Sequence, residues 1–344
     1  MGANLNVWNV KSKDFFNQSS LSGKIKHLLR YAILAPSTHN VQPWLFTIKD
    51  SSVVISFDSA LNLPQADAKG RDLHITLGCC IENLVITAEY FNVFDRVVYL
   101  SKNKKNQVAQ IYFKNLDKKT TPNKNHEKLF ETITKRVNSR GLFQNKKIKP
   151  SIVKEISKLN SFKNLSLHLI QKNDEIAKMS HLTATGLKSA YKRSEFRHEM
   201  SGWMNHNLSS RNEGIPGYSL RMPTLLSLIF PTLVRNFDLG ERVGKINYVS
   251  MTSSSLVCVV TASRDTTENW LNTGRLAERA MLTLQSQNIK TSIFVASVEM
   301  GELYKDVQKI IKSKSIPQFV FCAGYMNYQQ KQTPRHPLEK KLLS

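Results

Sequence analysis

Acidic residues are scarce in this chain: 26 aspartates and glutamates face 49 lysines and arginines, for a net charge of +23. Such an imbalance raises nucleic-acid binding as a reading. Much of the excess, however, sits in polar connector text such as Ser101-Lys102-Asn103-Lys104-Lys105-Asn106 and Lys118 to Lys128, with no interleaved aromatics to form a stacking platform. Solvated connectors are the stronger reading, with a mild attraction for phosphorylated small molecules as a by-product. Cysteine is scarce too. Cys79, Cys80, Cys258 and Cys322 lie in apolar stretches without metal-ligand spacing, which favours buried thiols in a reducing compartment over disulfides or a metal centre. No apolar run approaches the roughly 20 residues of a membrane span, and Met1 to Phe16 has no apolar core before a cleavage site. The expectation is a cytoplasmic protein with no membrane partner. Glu195, His198 and His206 lack a third ligand at convincing spacing, so a metal site is not expected. Gly214-Ile215-Pro216-Gly217 follows no strand and is not a dinucleotide loop. Ser37 and His39 are too close in sequence to form a hydrolytic pair.

What the chain does have is core material: 41% of its 344 residues are hydrophobic, enough for one large domain or two fused ones. Helical spacing of Ile25, Leu28, Leu29 and Ala32 predicts a helix from Ser22, as N-cap, to Ile33, stopped by Pro36. Trp44 to Ile48 and Val53 to Phe57 read as strands, followed by a long helix from Arg71 to Phe91 and a strand pair, Arg96 to Leu100 and Val108 to Phe113. A second series follows. It has a helix around Leu129, Ile133 and Val137, a short helix opened by Pro150, a strand from Leu165 to Ile170 and a helical stretch from Asp174 to His206. An irregular, proline-rich segment runs from Asn207 to Asp238. Then come a strand (Leu256 to Thr261), a helix (Thr267 to Gln287), a strand (Thr291 to Ala296), a helix (Gly301 to Lys312) and a strand (Phe319 to Ala323).

The two long helices share a pattern. Gly78, Glu82, Thr87 and Asn92 recur as Gly274, Glu278, Thr283 and Asn288, each pair offset by 196 residues. Their order on equivalent elements predicts two degenerate copies of one unit, residues 1–120 and 121–344. Glycine within a helix costs about 1 kcal/mol relative to alanine, so its recurrence points to close packing of the two helices at the centre of an intramolecular pseudo-dimer.

One segment carries candidate chemistry. Ala35-Pro36-Ser37-Thr38-His39-Asn40-Val41-Gln42-Pro43-Trp44 takes a helix end through a proline turn into a strand, displaying a hydroxyl, two amides and backbone donors and acceptors. A flavin ring needs that lining, since its pyrimidine edge mixes donors and acceptors while its faces are apolar. A capped helix end in which Asn40 and Gln42 serve only the turn is an equally weighted reading.

The run resembles the flavin-contacting motif of the nitroreductase family. Arg136-Val137-Asn138-Ser139-Arg140, followed by Phe143, resembles that family's arginine motif, with Asn138 where Ser or Thr is more usual, and Pro334-Arg335 resembles its C-terminal arginine motif. The helix with Gly274 and Glu278 and the stretch Ile289 to Val298 resemble its central helix and following strand. The distribution, with one turn motif in the first half and the arginines in the second, resembles the fused, Acg-like branch. The resemblance implies an α+β, three-layer α/β/α fold with mixed, mainly antiparallel sheets. It also implies one FMN, NAD(P)H as electron donor and a small-molecule acceptor such as a nitroaromatic or quinone. Pro36, Ser37, Asn40 and Gln42 would contact the ring and ribityl chain; Arg136, Asn138, Arg140 and Arg335 would hold the phosphate. If Gly214 to Asp238 forms a lid, sequestration or storage of FMN with little turnover is the alternative. The chain would act as a monomeric pseudo-dimer or associate further as a homodimer.

Overall fold

The computed structural model describes residues 4–100 and 106–343; the lysines at 102, 104 and 105 of the first connector lie outside them. The first part of the chain comprises α1 (Leu21–Ala32), β1 (Trp44–Lys49), β2 (Ser52–Phe57), α2 (Arg71–Tyr90), β3 (Phe94–Tyr99), β4 (Gln107–Phe113) and α3 (Lys124–Ile133). The rest comprises α4 (Pro150–Ser157), β5 (Leu165–Ile170), α5 (Asn173–Lys192), α6 (Ser194–Gly202), the two-residue β6 (Met204–Asn205) and β7 (Ile215–Pro216), α7 (Thr224–Asn236) and α8 (Gly240–Thr252). It continues through β8 (Leu256–Ala262), α9 (Thr267–Ser286), β9 (Lys290–Ile293), α10 (Ala296–Glu299), α11 (Leu303–Ile311) and β10 (Ile316–Gly324).

Two four-stranded sheets form, in the orders β1-β2-β4-β3 and β5-β8-β10-β9, with every neighbouring pair antiparallel. Each half therefore runs helix, strand, strand, long helix, strand, strand, and seats its last strand between the second and third. The second half differs by the α5 to α8 insertion between its first two strands and by α10 and α11 before its last. Alternation of side chains explains the layering around β8, where every residue is buried. Leu256, Cys258 and Val260 join a core with Ala277 and Met281 of α9, whereas Val257 and Val259 join one with Ile176 of α5 and Val307 of α11.

α2 and α9 cross at the centre in very close contact. A Cβ on Gly78 would lie 2.1 Å from the Leu271 carbonyl oxygen, and one on Gly274 would lie 1.9 Å from that of Ile75. The contact is reciprocal, because Ile75 and Leu271 are themselves related by the 196-residue offset. The other recurring residues also have matching geometry. The Thr87 and Thr283 hydroxyls donate to carbonyls four residues back (2.7 and 2.8 Å), and Asn92 and Asn288 both turn the chain with left-handed φ of 57° and 59°. Glu82 and Glu278 are both buried. Glu82 is held by Arg275 (2.8 Å) and by Arg279, and Glu278 by Arg136 (3.4 Å).

Several local expectations need correction. The cap of α1 is Ser20, whose Oγ accepts from Gly23 N at 3.0 Å, not Ser22. The helix expected around Leu129, Ile133 and Val137 ends at Ile133, so Val137, Arg136 and Arg140 lie beyond it. The Asp174 to His206 stretch is two helices, broken at the extended Arg193. The Asn207 to Asp238 segment is not wholly irregular: α7 runs through Pro231, which forfeits only the bond to the Ser227 carbonyl, because the leucine-rich chain on either side favours helix. The strand expected to reach Ala296 stops at Ile293. The chain then leaves the sheet to pack α10 on α5, where a Cβ on Gly186 would meet the Ala296 carbonyl at 2.4 Å.

Candidate functional site

The segment after α1 is strained and then fixed. His39, Asn40 and Gln42 all adopt left-handed φ (49°, 57° and 54°), a conformation that asparagine tolerates and other non-glycine residues adopt only when their surroundings enforce it. The enforcement comes from Ser37, from residues 212–214 and from residues 334–341. Gln42 N donates to Ser37 Oγ (3.1 Å), and Asn40 Nδ2 donates to the carbonyls of Gly214 and Pro334 (both 3.1 Å). Gln42 Nε2 donates to Asn212 O (2.7 Å), Gln42 Oε1 accepts from His336 N (2.8 Å), and Lys341 Nζ donates to Gln42 O (2.6 Å).

This turn forms one wall of a cavity of about 980 Å³, at the upper end of the range for small-molecule sites. Seven of the eight residues singled out from the sequence line it: Pro36, Ser37, Asn40, Arg136, Asn138, Arg140 and Arg335. Gln42 does not. It is fully buried behind the turn with its amide engaged by Asn212 and His336. The Arg136 to Arg140 segment enters the cavity wall by lying along β9: Ser139 N donates to Thr291 O (2.9 Å), and Asn138 Oδ1 accepts from Ile293 N (3.0 Å).

The three arginines are not equivalent. Arg136 pairs with Glu278 and donates to Leu34 O (3.3 Å). Arg335 donates to Asn40 Oδ1 (2.6 Å), Thr333 Oγ1 (2.6 Å), Pro334 O (3.0 Å) and Ala35 O (3.1 Å), and lies over the Trp8 ring. Burial and the Arg136 charge push Arg335 down to about 9. Arg140 has no carboxylate or hydrogen-bond acceptor among the described residues, although burial lowers its pKa, opposed only by Tyr191. Half-buried in the cavity wall, its guanidinium keeps its donors available to a ligand.

Sequence reasoning missed other residues of the wall, including His39, Asp72, Cys79, Tyr191 and Glu299. Burial pushes His39 down to about 4, with Asp72 opposing and Arg140 reinforcing, so the imidazole is neutral above that pH. Burial and the neighbouring Asp72 hold the Glu299 carboxyl well above its usual range. Arg71 bridges the two (3.3 Å to Asp72, 3.9 Å to Glu299). Nothing in the local text around Asp72 or Glu299 marks them; only the packing of α2 beside α10 unites them. Cys79 is pushed well above the ordinary thiol value by burial, and all four cysteines are buried and unbridged. Among the described residues no cluster of three His, Cys, Asp or Glu could hold a metal, and no helix is long and apolar enough to cross a membrane.

Glu278 gives a pH-dependent prediction. Burial pushes its carboxyl up to about 7, with Arg136 opposing. The folded state thus binds this proton more tightly than the unfolded chain, whose carboxyl has the ordinary value of 4.5. The associated stability is fully present below that value and is lost as pH rises through about 7. Thermal melts across this window should show Glu278→Gln losing less stability with rising pH than the parent; parallel curves would contradict the shift.

No family model matches the chain, and no curated protein does. Among solved structures it is similar to the FMN and NADPH-dependent nitroreductase NfnB from Sphigopyxis sp. strain HMH, at 14% identity over 62% of this chain and 96% of that one, TM-score 0.41. It is similar to a nitroreductase with bound FMN from Desulfitobacterium hafniense DCB-2, at 10% identity over 63% and 97%, TM-score 0.40. It is also similar to the NADPH:FMN oxidoreductase from Vibrio harveyi, at 12% identity over 62% and 74%, TM-score 0.36.

Proposed function

We propose that this chain binds one FMN in the 980 Å³ cavity and is an NAD(P)H-dependent oxidoreductase of nitroreductase type. The observation that carries the reading is Arg140: a half-buried guanidinium without a protein partner among the described residues, in the wall of a ligand-sized cavity that the strained turn also lines. A phosphorylated ligand with a hydrogen-bonding ring suits both walls. Arg140 and the free Nδ2 of Asn138 would bind the phosphate, with Arg136 and Arg335 contributing charge from their protein-bound positions. Pro36, Ser37 and Asn40 would line the ring and ribityl chain, and Gln42 holds their turn in shape. FMN, when bound, would supply the redox chemistry between NAD(P)H and a nitroaromatic, quinone or similar small acceptor. The protein's part is to orient, to supply charge and to control access. We further propose that residues 1–120 and 121–344 are fused degenerate copies of one unit, supported by the shared strand order and the reciprocal glycine contact.

One observation favours a second reading, FMN sequestration: the segment after Gly214 supplies Ile215, Leu220, Met222 and Phe230 to the cavity wall, as a cover over the ring would. The visible spectrum of the purified protein tests both. Flavin absorption that bleaches within seconds under anaerobic NADPH is expected of the enzyme; colour that persists indicates sequestration. Protein that stays colourless after incubation with FMN would overturn both.

A further inference from the structure

A surface helix of a water-soluble protein normally turns its polar face outward. α7 is apolar on both sides: Val234 and Phe230 pack inward, and leucines also face outward. Ser227 is buried, its Oγ accepting from Asn207 N and donating to the Thr224 carbonyl, while Leu225, Leu228 and Ile229 are 80%, 45% and 55% exposed. These three, at i, i+3 and i+4, form one apolar stripe. Phe237 just beyond the helix is also exposed, and on α8 so are Ile246 and Val249, which border the cavity. Exposed basic residues accompany the stripe: Arg221 and Arg235 bracket α7, and Arg242 and Lys245 lie on α8. The acids nearby are Asp238 and Glu241, and Glu241 is paired to Lys188 at 2.7 Å.

We propose that the α7–α8 face docks on an anionic membrane surface, with the leucine stripe entering the headgroup boundary and the arginines and lysines meeting lipid phosphates. A helix that is apolar on its outer face and flanked by Lys and Arg has the properties of interfacial membrane helices. The basic side chains can keep their heads in the polar layer while their stems cover apolar surface. A second copy of this chain fits the face less well. It would bring the exposed Arg221, Arg235, Arg242 and Lys245 of two copies together. The sequence-based expectation of no membrane partner rested on the lack of a spanning run, and surface docking needs none.

The test is sedimentation of the full chain with vesicles of phosphatidylcholine alone or mixed with phosphatidylglycerol. Binding to the mixed vesicles should far exceed binding to the neutral ones and weaken with salt. It should fall about tenfold or more in Leu225→Ser/Ile229→Ser and likewise in Arg235→Glu/Lys245→Glu. All four positions are exposed, so folding should be retained, as circular dichroism can verify. No preference for anionic vesicles, or equal binding by both variants and parent, overturns the proposal. So does a dimer in light scattering that Leu225→Ser/Ile229→Ser dissolves while vesicles are ignored. None of these readouts depends on flavin.

Discussion

Arg140→Ala should weaken FMN binding by about 1.5–3 kcal/mol, roughly 10- to 150-fold in Kd, the range for a hydrogen bond to a charged partner. The same substitution should leave the ligand-free protein as stable as the parent or slightly more so. The half-buried guanidinium, whose charge burial disfavours, has no carboxylate or acceptor among the described residues to lose. Arg136→Ala should behave differently. It removes the partner of buried Glu278 and the donor to Leu34 O, so the ligand-free protein itself should lose stability. Exposed Lys118→Ala is the control for bulk charge. Fluorescence titration with FMN and thermal melts of the ligand-free proteins provide both readouts. If Arg140→Ala holds FMN as tightly as Lys118→Ala, the phosphate assignment at this residue is wrong.

The contrast between these arginines shows where sequence reading succeeds and where it stops. Strand alternation and helical periodicity placed β5, α2 and α9 to within a residue or two, because each is buried against a continuous layer that imposes its period. The turn and the arginine segment, singled out together through the family resemblance, do line one cavity. What each polar group binds was not. Asn40, Gln42 and Arg335 carry the expected chemistry, yet most of their donors and acceptors are engaged with one another, with Gly214 and with the tail near His336, about 300 residues away in sequence. Such pairing is set by tertiary approach, as is the meeting of Asp72 with Glu299. The proline rule that made Asn207 to Asp238 irregular failed at Pro231 for a local reason. One missing hydrogen bond did not outweigh a run of good helix formers, and the resulting helix proved to carry the exposed leucine stripe.

Gly78→Ala and Gly274→Ala should each destabilise the protein by about 3 kcal/mol, the upper end for overpacking, with a fall in Tm of about 4 °C for a chain of 344 residues. In most helices the same change is favourable by up to about 1 kcal/mol, so the sign itself is diagnostic. The reason is geometric. The added methyl would sit 2.1 Å from Leu271 O in one case and 1.9 Å from Ile75 O in the other, and a backbone carbonyl within a packed helix cannot swing aside. α2 and α9 would have to separate. Gly202→Ala serves as the comparison, since nothing lies within 4 Å of the added methyl, and it should be neutral or stabilising. The double variant is the sharper measurement. Because both methyls enter the same crossing, the separation forced by the first makes room for the second, and the combined loss should be clearly less than the sum. Additive losses would mean that the two glycines act at independent places, which would break the reciprocal contact on which the fused-copy proposal leans. Subadditive losses of similar size from either side are what a central two-fold crossing within one chain requires.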